Sequence, residues 1–212
     1  MATNTNTTLP LAETGYAQDD DFVIHRFSPF DLDHVLAELA RPVLDVDYQI
    51  GEIRRSYQGS SHPDTDAIVL RGPKDLSKAL LCKPEDVTHY VSLTRYHETY
   101  RLVLKALARL GITGAGDIKN RLGFVMVARL RPYGKVLGHI DCGDYANRSQ
   151  RYHITLSDGA AKFNVKKGDE WEVVERSQGD FWIFPHKTPH DAVNETDATR
   201  DEVIFDVFNK EG

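Results

Sequence analysis

The stretch Ala161-Lys-Phe-Asn-Val-Lys-Lys-Gly-Asp-Glu-Trp-Glu-Val-Val-Glu-Arg-Ser-Gln-Gly-Asp-Phe-Trp-Ile-Phe184 decides how the chain is read. It divides into three short runs rich in β-branched and aromatic residues, Ala161 to Val165, Trp171 to Glu175 and Asp180 to Phe184, separated by Lys167-Gly-Asp169 and Gln178-Gly179. Runs this short suit strands better than core helices, and glycine among polar side chains is the composition of tight turns. Working outward, Phe124 to Leu130, Lys135 to Ile140 and Tyr152 to Leu156 precede the stretch, and His190 to Val193 and Glu202 to Phe208 follow it. Turn signals at Pro132-Tyr-Gly134, Asp158-Gly159, Lys187-Thr-Pro189 and Asn194 to Thr199 separate them.

Short strands at this spacing predict a mainly β fold, an antiparallel sandwich or barrel, and eight of them suit a double-stranded β-helix, the jelly roll of cupin-like proteins. Upstream the period changes. Phe22 to Phe27 reads as a strand. Ser28-Pro-Phe-Asp31 then supplies an N-cap, a proline at the first helical position and an acid in the first turn, with Leu32, Val35, Leu36 and Leu39 at helical spacing before Pro42. Tyr48 to Arg54 and Ala67 to Arg71 flank a loop at Gly59-Ser-Ser-His-Pro63. A second helix is expected over Thr94 to Leu110, with Gly111 as its C′ glycine. Residues 1–21 are poor in large apolar groups and are expected to form a disordered tail; residues 22–212 are expected to form a single domain, with helical support over 22–122 and a β core over 123–208. These helices would buttress one sheet from outside.

A chain of 212 residues with 41% hydrophobic residues and a formal charge of −6 is ordinary for a soluble globular protein and too acidic for a general nucleic-acid binder. It has no membrane-spanning run and no signal or transit peptide, so a cytoplasmic location is expected. Two cysteines, Cys82 and Cys142, make neither a disulfide scaffold nor a thiolate metal site, and Cys142 is expected to be a packing thiol. Trp171 and Trp182 are expected in the core or rim of the sandwich. No oligomeric state is specified.

The nine histidines matter by placement. His25, His34, His62, His89 and His97 have no ligand-like partner at short spacing and are expected to be surface or locally hydrogen-bonded groups. In His139-Ile-Asp141, imidazole and carboxylate stand at i and i+2, which in a strand point to one face. His190 follows 49 residues after Asp141. Two His and one carboxylate, leaving the opposite positions open, are the ligand set of non-haem Fe(II) oxygenases. Arg200, ten residues after His190, begins the last strand, where a guanidinium can hold a carboxylate bidentately. Adjacent pairing of the last two strands would place it over the metal ligand's own sheet.

Taken in order, Arg129-Leu-Arg-Pro-Tyr-Gly134, His139-Ile-Asp141, Arg151-Tyr-His153, Gly179-Asp-Phe-Trp-Ile-Phe184, and His190 with Arg200 resemble the Fe(II)- and 2-oxoglutarate-dependent oxygenases, specifically the aspartyl/asparaginyl (and proline) β-hydroxylase-like family. The resemblance covers about residues 124–208 and implies that His139, Asp141 and His190 bind Fe(II), that Arg200 takes the distal carboxylate of 2-oxoglutarate and that His153 approaches its other end. It also implies that Arg151 faces a carboxylate-bearing substrate, an amino acid or a peptide residue. Asp141 stands where vertebrate members have glycine, which puts the chain nearer the microbial members. The reaction implied is hydroxylation of a C–H with O₂, releasing succinate and CO₂. Two other readings are a cosubstrate-free metal-dependent cupin enzyme, an isomerase or dioxygenase, and a non-catalytic jelly-roll ligand-binding protein.

Overall fold

Residues 22–44, 60–157 and 161–209 are described by the computed structural model. The chain enters through β1 (Val23–Arg26) and α1 (Pro29–Leu39), continues through β2 (Thr65–Pro73) and a short β3 (Val87–His89), and then forms α2 (His97–Arg109) and α3 (Ala115–Arg121). The β-rich half follows as β4 (Leu122–Leu130), β5 (Lys135–His139), a short helix α4 (Asp144–Arg148), β6 (Ser149–Thr155), β7 (Ala161–Lys167), β8 (Glu170–Arg176), β9 (Asp180–Phe184), β10 (His190–Val193) and β11 (Arg200–Phe208). All eight expected runs are strands. They lie in two antiparallel sheets, a seven-stranded one ordered β1-β9-β6-β11-β4-β2-β3 and a four-stranded one ordered β5-β10-β7-β8, the double-stranded β-helix the turn spacing predicts.

The local signals upstream act as anticipated. The Ser28 side chain accepts from the Asp31 amide while Asp31 reaches back to the Ser28 amide, closing a capping box with Pro29 at the first helical position. Helix α2 starts at His97 rather than Thr94, because Val91–Thr94 form a tighter 3₁₀ turn, and Gly111 follows it with φ +73. Buried Glu38 of α1 places its carboxylate at the N-terminus of α2. It accepts from the Glu98 and Thr99 amides at 2.7 and 2.9 Å, which satisfies two donors that a helix start leaves unpaired. Helices α3 and α4 were not expected. Both are too short to display a period, and α4 interrupts the β block. The segment Tyr48 to Arg54 and the expected tail lie outside the described residues. Among the described residues no helix is long and apolar enough to cross a membrane.

The large sheet is buried on both faces. One face carries Ile68, Leu70, Val125, Val127, Ile154, Phe181, Val203 and Phe205 against Leu32, Val35 and Leu39 of α1 and Leu102, Val103 and Leu107 of α2. The other face looks into the barrel, where Trp182 and Phe184 meet Phe163, Val165, Val174 and Ala192 of the small sheet. Trp182 is fully buried as expected, whereas Trp171, on the edge strand β8, is half exposed.

Gly179 shows how tightly the corners are drawn. Its φ is +89, its amide donates to the Thr155 carbonyl and its carbonyl accepts from the Phe27 amide, both at 2.8 Å. A Cβ there would stand 2.3 Å from the Phe27 oxygen. Gly179→Ala is expected to destabilise the protein by about 1–3 kcal/mol from backbone strain alone, with the clash adding to it; urea denaturation measures the loss.

Candidate active site

His139 closes β5 and His190 opens β10, and the two are direct cross-strand partners in the small sheet, with ring centroids 4.3 Å apart. Asp141 lies just beyond the end of β5 rather than within it. Its amide donates to the His186 carbonyl at 3.0 Å, which turns the chain so that the carboxylate still converges, with Oδ1 3.6 Å from His139 Nε2. One ligand atom from each of the three lies within 4.8 Å of the others. The ring nitrogens are sorted by the backbone. His139 Nδ1 faces the Leu137 carbonyl and His190 Nδ1 the Thr188 carbonyl, each at 2.8 Å. A carbonyl only accepts, so each Nδ1 carries the proton and each Nε2 presents a lone pair, the state a metal ligand needs. Burial holds His190 neutral, its pKa lowered to about 4. His186, the other histidine near this corner, has its ring nitrogens against the Phe184 and Ala146 carbonyls and is not part of the cluster.

Arg151, His153, Arg200 and Glu202 line the same cavity, together with Thr65, Phe163 and Ile204. His153, at the middle of β6, is buried and stacked on Phe184 at 4.3 Å. Neither of its ring nitrogens makes a hydrogen bond, and burial pushes its pKa well below the usual histidine range. The Arg200 guanidinium lies 4.1 Å over the Phe163 ring, and Nη1 donates to the Lys162 carbonyl at 2.8 Å. The strands bearing His190 and Arg200 are not paired neighbours. Strand β10 belongs to the small sheet and β11 to the large one, so Arg200 faces the sheet of His139 and His190 across the barrel. The crossing is held by Asn194, whose Nδ2 bonds the Leu130, Arg131 and Ala198 carbonyls and whose Oδ1 accepts from the Thr196 amide.

Arg151 is gripped from two sides. Nε and Nη2 hold both oxygens of buried Asp206, its cross-strand partner, at 2.8 and 3.1 Å, and Nη1 donates to Asp141 Oδ2. Burial opposes the charge, but Asp141 and Asp206 outweigh it and hold the guanidinium more firmly protonated than an ordinary arginine. Asp206 also accepts from Tyr145 of α4 at 2.9 Å, whose oxygen takes the Phe124 amide. The site residues the sequence did not reveal are Asp206, Tyr145, Glu202 and His62. Only strand alternation with Arg200 marked Glu202 and Asp206. Two further readings are corrected. Cys142 is an exposed thiol, not a packed one, because it sits in the loop after β5. His62 is no isolated surface group: its ring meets His139 edge-on at 4.8 Å, since the loop before β2 lies along β5, the Leu137 amide donating to the Ser61 carbonyl.

A two-His, one-carboxylate cluster inside a double-stranded β-helix is the ligand set of non-haem Fe(II) oxygenases, and the chain's family match supports an oxygenase of hydroxylase type. The sequence pattern described as Aspartyl/Asparaginyl beta-hydroxylase matches residues 86–210, and the chain belongs to that family. An oxidoreductase of the 2OG-Fe(II) oxygenase family from Burkholderia pseudomallei shares the fold, with a TM-score of 0.54 at 14% identity over 86% of this chain and 79% of that one. Partial likenesses include a cupin domain from Bordetella pertussis Tohama I, with a TM-score of 0.33 at 13% identity over 42% of this chain and 83% of that one. A predicted oxalate decarboxylase from Thermotoga maritima has a TM-score of 0.34 at 14% identity over 45% of this chain and 75% of that one. No curated protein matches the sequence.

Burying His153 with two unbonded nitrogens costs stability. Replacement by phenylalanine, which keeps the stack on Phe184, is therefore expected to stabilise the metal-free protein by about 1–3 kcal/mol. The sign of its pH effect is also determined: the unfolded histidine takes up a proton below about 6.5 and the folded one does not, so stability falls in acid. Below about pH 5.5 the wild type should lose about 1.4 kcal/mol per pH unit more than His153→Phe, measured by denaturant titration across pH.

Proposed function

We propose that the protein is an Fe(II)- and 2-oxoglutarate-dependent dioxygenase that hydroxylates a C–H of a carboxylate-bearing amino acid or amino-acid residue, with release of succinate and CO₂. The observation that carries this reading is the shared cavity: His139 and His190, with Asp141 clustered beside them, on one side, and buried Arg200 and His153 on the other. The donor set fits the ion, with two Nε2 lone pairs and a carboxylate suiting Fe(II) and leaving coordination positions for other ligands. The buried wall fits the cosubstrate, since Arg200 Nε and both nitrogens of His153 are donors or acceptors without hydrogen bonds, as a bound carboxylate would require.

When bound, the iron and 2-oxoglutarate supply the oxidative chemistry at the C–H bond. The chain's own residues orient and enclose it. His139, Asp141 and His190 would hold Fe(II), each histidine fixed by its carbonyl contact. Arg200 would take the distal carboxylate, its guanidinium braced by Phe163 and the Lys162 carbonyl. His153, neutral, would present a nitrogen to the end of the cosubstrate near the iron.

Arg151 has five N–H groups, of which three are engaged by Asp206 and Asp141, and the remaining two are assigned to the substrate carboxylate. That pairing keeps Asp141 and the substrate on one guanidinium, so substrate and metal are oriented by a common group. The segments Gln58 to Asp66 and Cys142 to Gln150, the second largely the short helix α4, are assigned to substrate choice. The described part of the first, with His62, lies beside His139.

An anaerobic Fe(II) titration followed by a succinate assay tests the reading. Metal binding with 2-oxoglutarate turnover supports it; metal binding without turnover points to a cosubstrate-free cupin enzyme, and neither to a ligand-binding jelly roll. Asp141→Ala should lose iron retention while circular dichroism stays unchanged, and undiminished turnover in that variant overturns the ligand assignment. Arg200→Ala should raise the 2-oxoglutarate requirement by on the order of 10² through loss of a charged hydrogen-bonding partner. A change confined to the other substrate would assign Arg200 to that substrate instead.

A further inference from the structure

Glu202 lies two residues along β11 from Arg200, on the same cavity-facing side, and is buried. Its surroundings can be read element by element. From β11, Arg200 Nε stands 4.0 Å from Oε1. From β6, Thr155 Oγ1 donates to Oε2 at 3.2 Å and His153 Nδ1 lies 3.8 Å from the same oxygen, with Arg151 further along the strand. Arg176 of β8 and Asp180 of β9 add charges of opposite sign from further off. Strand β4 contributes Ala128 and β7 contributes Phe163, neither charged, while His190 and Asp191 of β10 stand on the cavity wall. Oε1 makes no hydrogen bond.

The charge count is decisive once a dicarboxylate enters. Glu202 is the carboxylate nearest Arg200, and the distal carboxylate of 2-oxoglutarate would be a second one at the same buried guanidinium. Two carboxylates sharing one site do not both stay ionised, and the cheapest remedy is a proton on the one that belongs to the protein. Protonation also turns Oε1–H into a donor, a role the ionised group lacks.

We propose that Glu202 takes up a proton from water as the distal carboxylate of 2-oxoglutarate docks on Arg200, and donates it in a hydrogen bond to that carboxylate. Glu202 is thereby a cosubstrate-binding residue, and the pocket accepts 2-oxoglutarate together with one proton. The inference rests on the reading of this cavity as the 2-oxoglutarate site. Burial already raises the pKa of Glu202, to about 7, with Arg200 and Thr155 working against the rise, so the docking carboxylate acts on a group that burial has already biased towards protonation.

Calorimetric titration of 2-oxoglutarate into the full-length, Mn(II)-loaded protein tests it, in buffers of different ionisation heat. At about pH 8 the wild type should take up close to one proton per 2-oxoglutarate bound and Glu202→Gln, which carries a permanent donor of the same shape, close to none. Wild-type affinity should fall towards tenfold per pH unit above about 7, and that of Glu202→Gln should stay level. Infrared difference spectra of the wild type should gain the carbonyl band of a protonated carboxyl on adding 2-oxoglutarate. Binding without buffer-dependent heat and without that band, or equal proton uptake in Glu202→Gln, overturns the role of Glu202 and leaves the cosubstrate site standing. No binding of 2-oxoglutarate to the Mn(II)-loaded wild type overturns both.

Discussion

A strand covered on both faces has one set of side chains for each neighbour, and that constraint organises the molecule. In β11, Val203, Phe205 and Val207 go to the helices, while Arg200, Glu202, Ile204 and Asp206 go to the barrel side. The same division runs through β6, where Tyr152 and Ile154 pack under α1 and α2 while Arg151 and His153 face inward. A one-residue slip in either strand would carry the polar set into the helix interface and the apolar set into the pocket. The helical layer therefore does more than cover the sheet, because its contact with the alternate residues is what specifies the register that assembles the site.

The second organising element is the guanidinium of Arg151. Buried cations are costly unless fully paired, and here the pairing runs from Asp141 through Arg151 to Asp206 and on to Tyr145 and the Phe124 amide. It links a candidate metal ligand in the loop after β5 to the centre of the large sheet. Gly123 is part of that arrangement, since a Cβ there would stand 2.4 Å from the Tyr145 oxygen. By contrast His153, Arg200 and Glu202 keep buried polar atoms without hydrogen bonds. One part of the pocket thus has its buried charge paired within the protein, and the other carries a standing cost that a polar guest relieves.

Much of this was legible in the sequence. Strands declare themselves through β-branched runs and turn residues, and the Ser28-Pro29-Asp31 start of α1 through its capping chemistry, all of which act locally. The convergence of His139, Asp141 and His190 was legible because the two-residue spacing and the late histidine stand among motifs that resemble one family, and one donor atom from each does lie close to the others. Asp206 and Tyr145 were not, since their meaning comes from cross-strand register and from a five-residue helix with no period of its own. The pairing assumed for Arg200 failed for a related reason: alternation tells which side of a strand a residue faces but not which sheet the strand joins. His62 was missed because what makes it part of the site is a loop laid against β5, a long-range contact that no spacing encodes.

The position of β5 as the edge strand of the small sheet has a further consequence. His139 stands on that edge strand and His190 on its inner neighbour, so an ion held by both would be a clasp across the last seam of the sheet. Edge strands ordinarily fray first. Filling the centre would then also fasten the border, and the slowing of amide exchange along Lys135–His139 would gauge how firmly the ion is seated.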